Sequence, residues 1–387
     1  MTRLVRFSLT TMQNETPRDY ALLDEVVSAV AKAPFRLQEL SLTNNCFARP
    51  HAVPKTPHLT PILSTLKGLC LSKCTCRYCY ATPFHIALVS TPELSLQDVS
   101  IVLSQWPFPG IEDGTLQIAD LFGRIYWPQL RRFTLSSHTA HTAQTDSHKE
   151  SLKAFIIRHT KLEALCLDGI PLPDLPPNAL PRLDSLEFDW SGKQHTYRLP
   201  QPIARNIRHF KPKVEGDQML DVLKDMNELR SCQLSGISDI SKLLKISKHV
   251  EQLSYKQPGH PPSESGQKIN ATAKQKIETA TKQRIKKLAA FKHLTHLGEF
   301  FECQALEVNS PASRQTNILR ELVDSIRTLN YVEICRKGHP EWVCVERDEG
   351  GRYSGFHASP TNSWDGADSE ENPRPETWGN FYRGFTR

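Results

Sequence analysis

Leu37-Gln38-Glu39-Leu40-Ser41-Leu42-Thr43-Asn44-Asn45 decides the reading of this chain. Leucine stands at the first, fourth and sixth places of the stretch, and asparagine at the ninth. The fourth and sixth residues are two apart, so in a strand both side chains leave the same face. The residues between them, Glu39 and Ser41, leave the opposite face. Such a strand is greasy on one side only and cannot bury that side alone.

The pattern returns along the chain. Good copies run Leu66, Leu69, Leu71, Cys74; Leu130, Phe133, Leu135; Leu162, Leu165, Leu167; Leu183, Leu186, Phe188; Leu229, Cys232, Leu234; and Val250, Leu253, Tyr255. Degenerate copies stand at Leu4, Phe7, Leu9; at Leu94, Leu96; at Ile207, Phe210; at Leu294, Leu297; and at Leu329, Val332, Ile334. Repeated units of this kind bury their faces by stacking on one another, so the array grows without enlarging a single core. The expected fold is α/β: an irregular leucine-rich-repeat solenoid, with parallel strands on the concave face, helices on the convex face and a C-terminal hairpin cap. Asn45 and Cys74 at the ninth place are expected to hydrogen-bond the loop that follows each strand.

Between the strands lie helical stripes. Asp19 to Ala31 carries Leu22, Leu23, Val26, Val27 and Val30, and Ser151 to His159 carries Leu152, Phe155 and Ile156. Leu220 to Met226 and Ile240 to Ile246 read as short helices before the next strands. Spacing between first positions runs from 21 residues, Leu162 to Leu183, to 44 residues, Val250 to Leu294. A regular array of this class keeps roughly 20–29, so loops here carry insertions.

Three regions are expected. Residues 1–310 form the solenoid. Residues 311–357 form a helix and a β-hairpin cap, with the helical stripe Ile318, Leu319, Leu322, Val323, Ile326 followed by strands around Asp348-Glu349-Gly350-Gly351. A hairpin is expected there because the last coil must not leave its core face bare. Residues 358–387, rich in Pro, Gly, Asn, Asp and Glu, read as a disordered tail.

Composition excludes several classes. The 387 residues carry a net charge of +6, with 39 % hydrophobic and 23 % charged residues. The pI is about 8.7, below the range above about 9 usual for nucleic-acid-binding domains. No run of roughly 18 apolar residues suggests a membrane span, and the N-terminus lacks a signal-peptide pattern. The ten cysteines are read as reduced thiols of a cytoplasmic or nuclear protein.

Several phrases carry a family resemblance. The segment from Ser151 to Leu167, SLKAFIIRHTKLEALCL, and the Pro-bounded segment from Asn178 to Leu186, NALPRLDSL, resemble the repeat region of fungal F-box and leucine-rich-repeat proteins. The resemblance is one of pattern and spans roughly residues 1–345. It implies a substrate receptor of a cullin-type ubiquitin ligase. The F-box itself, which recruits the cullin adaptor, is not found: the sequence opens on the repeat-like Leu4, Phe7, Leu9.

Candidate chemistry is sparse. Cys70, Cys74, Cys76 and Cys79 are dense but lack the second ligand pair that zinc sites usually show, so no metal and no cofactor are expected. Cys70, at the fifth place of its repeat, is expected on the concave face. His138, His141 and His148 lie in the Ser/Thr-rich stretch from Ser136 to His148, without a hydrolase motif, and no enzyme is expected. The basic helix 268–292, with Lys274, Lys276, Lys282, Arg284, Lys286 and Lys287, offers the alternative of a nucleic-acid- or phosphate-binding solenoid. The leading expectation is a protein partner, with no membrane and no nucleic acid. That partner would lie across the concave strands on Glu39, Ser41, Arg132, Thr134, Ser136, Asp168, Glu187, Asp189, Gln233 and Lys256.

Overall fold

The computed structural model describes residues 6–10, 28–32, 36–43, 59–72, 94–103, 122–137, 146–189, 199–213, 216–256, 271–300, 312–336 and 339–358, with positions 88 and 91. Contacts divide the chain into two compact units, residues 1–206 with 380–387, and residues 207–379.

The first unit holds seven strands: β1 (Arg6–Thr10), β2 (Glu39–Thr43), β3 (Gly68–Ser72), β4 (Asp98–Leu103), β5 (Arg132–Ser137), β6 (Ala164–Asp168) and β7 (Ser185–Asp189). Each pairs in parallel with the next in chain order. The register sets one row of inward side chains through Phe7, Leu40, Leu69, Val99, Phe133, Leu165 and Leu186. A second inward row runs Leu42, Leu71, Ile101, Leu135, Leu167 and Phe188. These are the fourth and sixth places of the repeat. From Leu40 and Leu42 onward, every one of them is buried.

Strand β4 departs from the expected copy. Leu94 and Leu96 do not lie in the strand. Leu96 takes the first place, and Val99 and Ile101 take the fourth and sixth. β-branched residues suit a pleated surface, so the strand forms where leucine counting placed only its entrance.

A backbone device fixes the register. The Gln38 carbonyl accepts from both the Lys67 and Gly68 N–H groups, at 2.7 and 3.0 Å. The carbonyls of Lys67, Gln97, Arg131 and Glu163 each accept two N–H groups of the next coil in the same way. Strands β2 to β6 therefore each enter one residue after a shared acceptor, and a slip would break a pair of bonds.

Helices back the strands. The longest in this unit is α2 (Asp146–Arg158), which follows the short α1 (Leu59–Leu63). Leu152, Phe155 and Ile156 are buried, as their spacing predicts. Phe155 packs edge-on against Phe122 and Trp127, at ring separations of 5.2 and 5.8 Å, and tilted on Phe133 at 4.7 Å. His159, at the end of α2, accepts from the Trp127 backbone N–H at Nε2 (2.9 Å) and shares a 2.6 Å hydrogen bond with the Phe155 carbonyl at Nδ1. Burial lowers its pKa to about 4, so the ring is neutral: Nδ1 donates and Nε2 accepts. It is a structural histidine.

The second unit holds β8 (His209–Lys213), β9 (Ser231–Ser235), β10 (Gln252–Lys256), β11 (His296–Gly298), β12 (Tyr331–Arg336), β13 (His339–Arg347) and β14 (Tyr353–Ala358). β8 to β12 pair in parallel in chain order. β12, β13 and β14 then pair antiparallel. The hairpin falls where the glycine-bearing turn predicted it, with Gly351 at φ 75°. The basic segment is the helix α6 (Ala271–Leu288), after α3 (Gln201–Ala204) of the first unit and α4 (Met219–Leu223) and α5 (Ser241–Ile246) of the second. α7 (Ala312–Ser325) carries the last helical stripe, with Leu319, Leu322 and Val323 buried. Strands in chain order, parallel, with helical returns, make the fold a leucine-rich-repeat solenoid.

The ninth place of the repeat is described in two coils. Asn45 and Cys74 lie outside the described residues. In the β6 and β9 coils the position is Ile170 and Ile237, both fully buried. The residue before each is a glycine with positive φ, Gly169 at 69° and Gly236 at 71°. Those turns are closed by a left-handed glycine and an apolar plug, not by a polar side chain.

Candidate functional site

The outward residues of β1 to β7 form rows as regular as the inward ones. The lower row reads Arg6, Glu39, Gly68, Asp98, Arg132, Ala164 and Ser185. The middle row reads Ser8, Ser41, Cys70, Ser100, Thr134, Cys166 and Glu187. All fourteen line one cavity of about 300 Å³. A single cavity reached from seven consecutive strands requires the strand face to be concave. The middle row is small or short almost throughout, which leaves a shallow trough for a ligand to enter.

Charges stand along the lower row in two pairs. Arg6 Nε lies 2.5 Å from Glu39 Oε2, and Arg132 Nη2 lies 2.8 Å from Asp98 Oδ2. All four side chains are about half exposed. Pairs of that kind add little stability, but they fix the position of charge on a rigid sheet. Farther up β5, the Ser136 hydroxyl donates to Asp168 Oδ2 at 3.0 Å.

Eight of the ten expected partner residues stand on strands of this unit. Glu39, Arg132 and Thr134 are open to the trough. Ser41 and Ser136 are buried, at 6 % exposure each, and Glu187 at 2 %. Ser41 and Glu187 form its floor and not its rim, because neighbouring strands stand close enough to cover their side chains, and Ser136 lies outside it. Asp168 is half-buried beside Ser136. Asp189 falls on β7, with its side chain outside the described residues. Gln233 and Lys256 belong to the second unit. The Gln233 amide donates to Glu299 Oε1 at 3.3 Å, and the Lys256 side chain lies outside the described residues.

Sequence reasoning passed over Gly68, Asp98 and Ser100. Gly68 and Ser100 are one row apart on adjacent strands, and only parallel pairing brings them into one trough. They stand at the third and fifth places of the β3 and β4 repeats, once β4 is aligned on Val99 and Ile101.

The other expected chemistries find less support. Cys70 lines the trough on the concave face, whereas Cys74, Cys76 and Cys79 lie outside the described residues. Cys70, Cys166, Cys232 and Cys344 form no disulfide, and burial pushes the Cys232 thiol up to about 12, far from a reactive thiolate. Among the described residues no group of three His, Cys, Asp or Glu side chains is placed to hold a metal ion. His138 and His141 lie outside the described residues, and His148 has only its backbone described, in α2. On α6, Lys287 pairs with Asp239 at 3.0 Å. Arg284 is buried and donates to the Tyr255 and Phe300 carbonyls at 2.7 and 3.2 Å. Two cations of the basic helix are thus spent on the protein itself. No helix among the described residues is long and apolar enough to cross a membrane.

No family model and no curated protein matches the chain. Among solved structures it is similar to an internalin from Listeria monocytogenes, with a TM-score of 0.36 and 14 % identity over 81 % of this chain and 88 % of that one.

Proposed function

We propose that the chain is a non-catalytic scaffold that binds a protein partner on the concave strand face of its first unit. The observation that carries this reading is the trough of about 300 Å³ floored by small side chains from β1 to β7. A rigid sheet presenting many independent side chains can specify a ligand position by position, and a few anchors in such a trough supply most of the energy.

A photo-crosslinking amino acid placed at Thr134 tests the face. Discrete protein adducts are expected there and not at Ala154, which is exposed on α2. Arg substituted at Cys166, the register neighbour of Thr134, should abolish them. Equal adducts at both positions overturn the reading.

Within this reading the partner is a substrate protein delivered to a cullin-type ubiquitin ligase, inside the cytoplasm or nucleus. The support is the likeness of residues 151–167 and 178–186 to the repeats of fungal F-box proteins, together with four cysteines that form no disulfide. Co-purification of the cullin adaptor with the full chain is expected. Its absence removes the ligase role and leaves the scaffold. The hairpin β13–β14 serves in this scheme to shield the last coil of the second unit. The alternative, phosphate or nucleic-acid binding along α6, is weakened by the internal bonds of Arg284 and Lys287.

A further inference from the structure

We infer that His249 and His293 form a two-imidazole site for a divalent zinc ion on the surface of the second unit, joining the coils of β10 and β11. The inference is independent of the concave face of the first unit.

Both histidines hold the same place of the repeat, the residue before its first apolar position, Val250 in one coil and Leu294 in the next. The backbone fixes that correspondence. The Glu251 carbonyl accepts the Thr295 and His296 N–H groups at 2.7 and 3.1 Å, and the Thr295 hydroxyl at 3.0 Å. Gln252 and Leu253 then pair with His296 and Leu297. The two rings stand side by side as a result, with centroids 5.8 Å apart and planes 33° from parallel. Both histidines are exposed. Neither ring takes part in a hydrogen bond or an ion pair among the described residues.

Zinc takes a ring nitrogen at about 2.0–2.1 Å, which puts the ring centroid roughly 3.2 Å from the ion. Two such rings at a tetrahedral angle have centroids about 5.2 Å apart. The observed 5.8 Å exceeds this by about 0.6 Å, which small rotations of exposed side chains make up on a short timescale. Glu228 holds the same place one coil earlier, yet no three such groups converge on an ion among the described residues. The chain supplies two ligands, and water takes the remaining positions of a four-coordinate ion. Imidazole suits zinc, whereas magnesium calls for oxygen ligands. Lys248 and Lys292, one residue before each ring, are exposed and repel a dication, so the affinity is modest. The ion ties together the two coils that flank the longest insertion of the array, the 44 residues from Val250 to Leu294.

Carbethoxylation of the full chain by diethyl pyrocarbonate, read histidine by histidine by mass spectrometry, tests the site. Zinc chloride titrated into the protein should slow labelling of His249 and His293 together, by about tenfold once the ion stands at ten times its midpoint concentration. Magnesium chloride over the same range should protect neither. In His249→Ala zinc should no longer protect His293, and in His293→Ala it should no longer protect His249. Both changes are on the surface, and an unaltered melting curve without zinc checks the fold. Labelling of the pair at one rate with and without zinc overturns the site. So does protection of one ring that survives loss of the other, and so does equal protection by magnesium.

Discussion

Arg284 is the residue where charge and core meet most closely. Its guanidinium is 9 % exposed, donates to two backbone carbonyls and lies over the Tyr255 and Phe300 rings at 4.8 and 4.4 Å. Read along the helix it looked like one more solvated cation of a basic face. Its neighbours on the helix did not reveal its burial, because the carbonyls that hold it come from β10 and the turn after β11. Arg284→Met keeps the stem but leaves both carbonyls unmatched, and should cost about 2–4 kcal/mol. A lowered urea midpoint with an unchanged m-value checks it. Phe155 is the complementary case, an apolar side chain whose burial the helical stripe announced. Phe155→Ala should cost about 3–5 kcal/mol, since four aromatic neighbours cannot all collapse into the space. The same measurement decides it, and a cost under 1 kcal/mol would contradict the packing described.

Among the elements, the strands were the most legible, because one-sided burial writes a period of two into the sequence. Leu40 and Leu42, Leu165 and Leu167, and Leu186 and Phe188 occupy the core rows that their spacing foretold. β4 was misplaced because its core positions are Val99 and Ile101, which a search for leucine does not weigh. The turns were less legible. The leucine pattern says nothing of how the β6 and β9 coils turn, and these use a left-handed glycine and then a buried isoleucine. At Gly169 and Gly236 the positive φ forbids a Cβ at low cost. Gly169→Ala and Gly236→Ala should each lower stability by about 1–2 kcal/mol. Gly123→Ala should be nearly neutral, since its nearest neighbour would be Ser151 Oγ at 3.8 Å. Unfolding midpoints of the three variants separate these outcomes, and equal effects at all three sites would deny the role of the left-handed turns.

For the molecule as a whole, each unit contains a buried histidine held neutral. His159 in the first and His296 in the second both have pKa values lowered by burial from 6.5 to about 4. The folded state therefore binds these protons less readily than the unfolded chain does. Their contribution is fully present above pH 6.5 and is lost as the pH falls toward 4. For His159, which is 2 % exposed, the loss is on the order of 3 kcal/mol. Urea midpoints measured between pH 7 and 4 should fall steadily, and His159→Gln should flatten part of that slope. An identical slope in the variant would show that His159 titrates normally.

The sequence by itself determined the repeating strand, its buried face and the helices that return the chain, because local periodicity is enough to say which side of an element must leave water. Five of the expected partner positions, Glu39, Ser41, Arg132, Thr134 and Glu187, line the trough, since those alternate with the leucines. Only the tertiary structure decided which of them meet. About thirty residues of chain separate Gly68 from Asp98 and Ser100, and parallel stacking alone sets them side by side. Burial of Ser41, Ser136 and Glu187 was likewise settled by the neighbouring strands. A side chain's exposure depends on what stands within a few ångströms of it, and in a stacked array those neighbours belong to other coils.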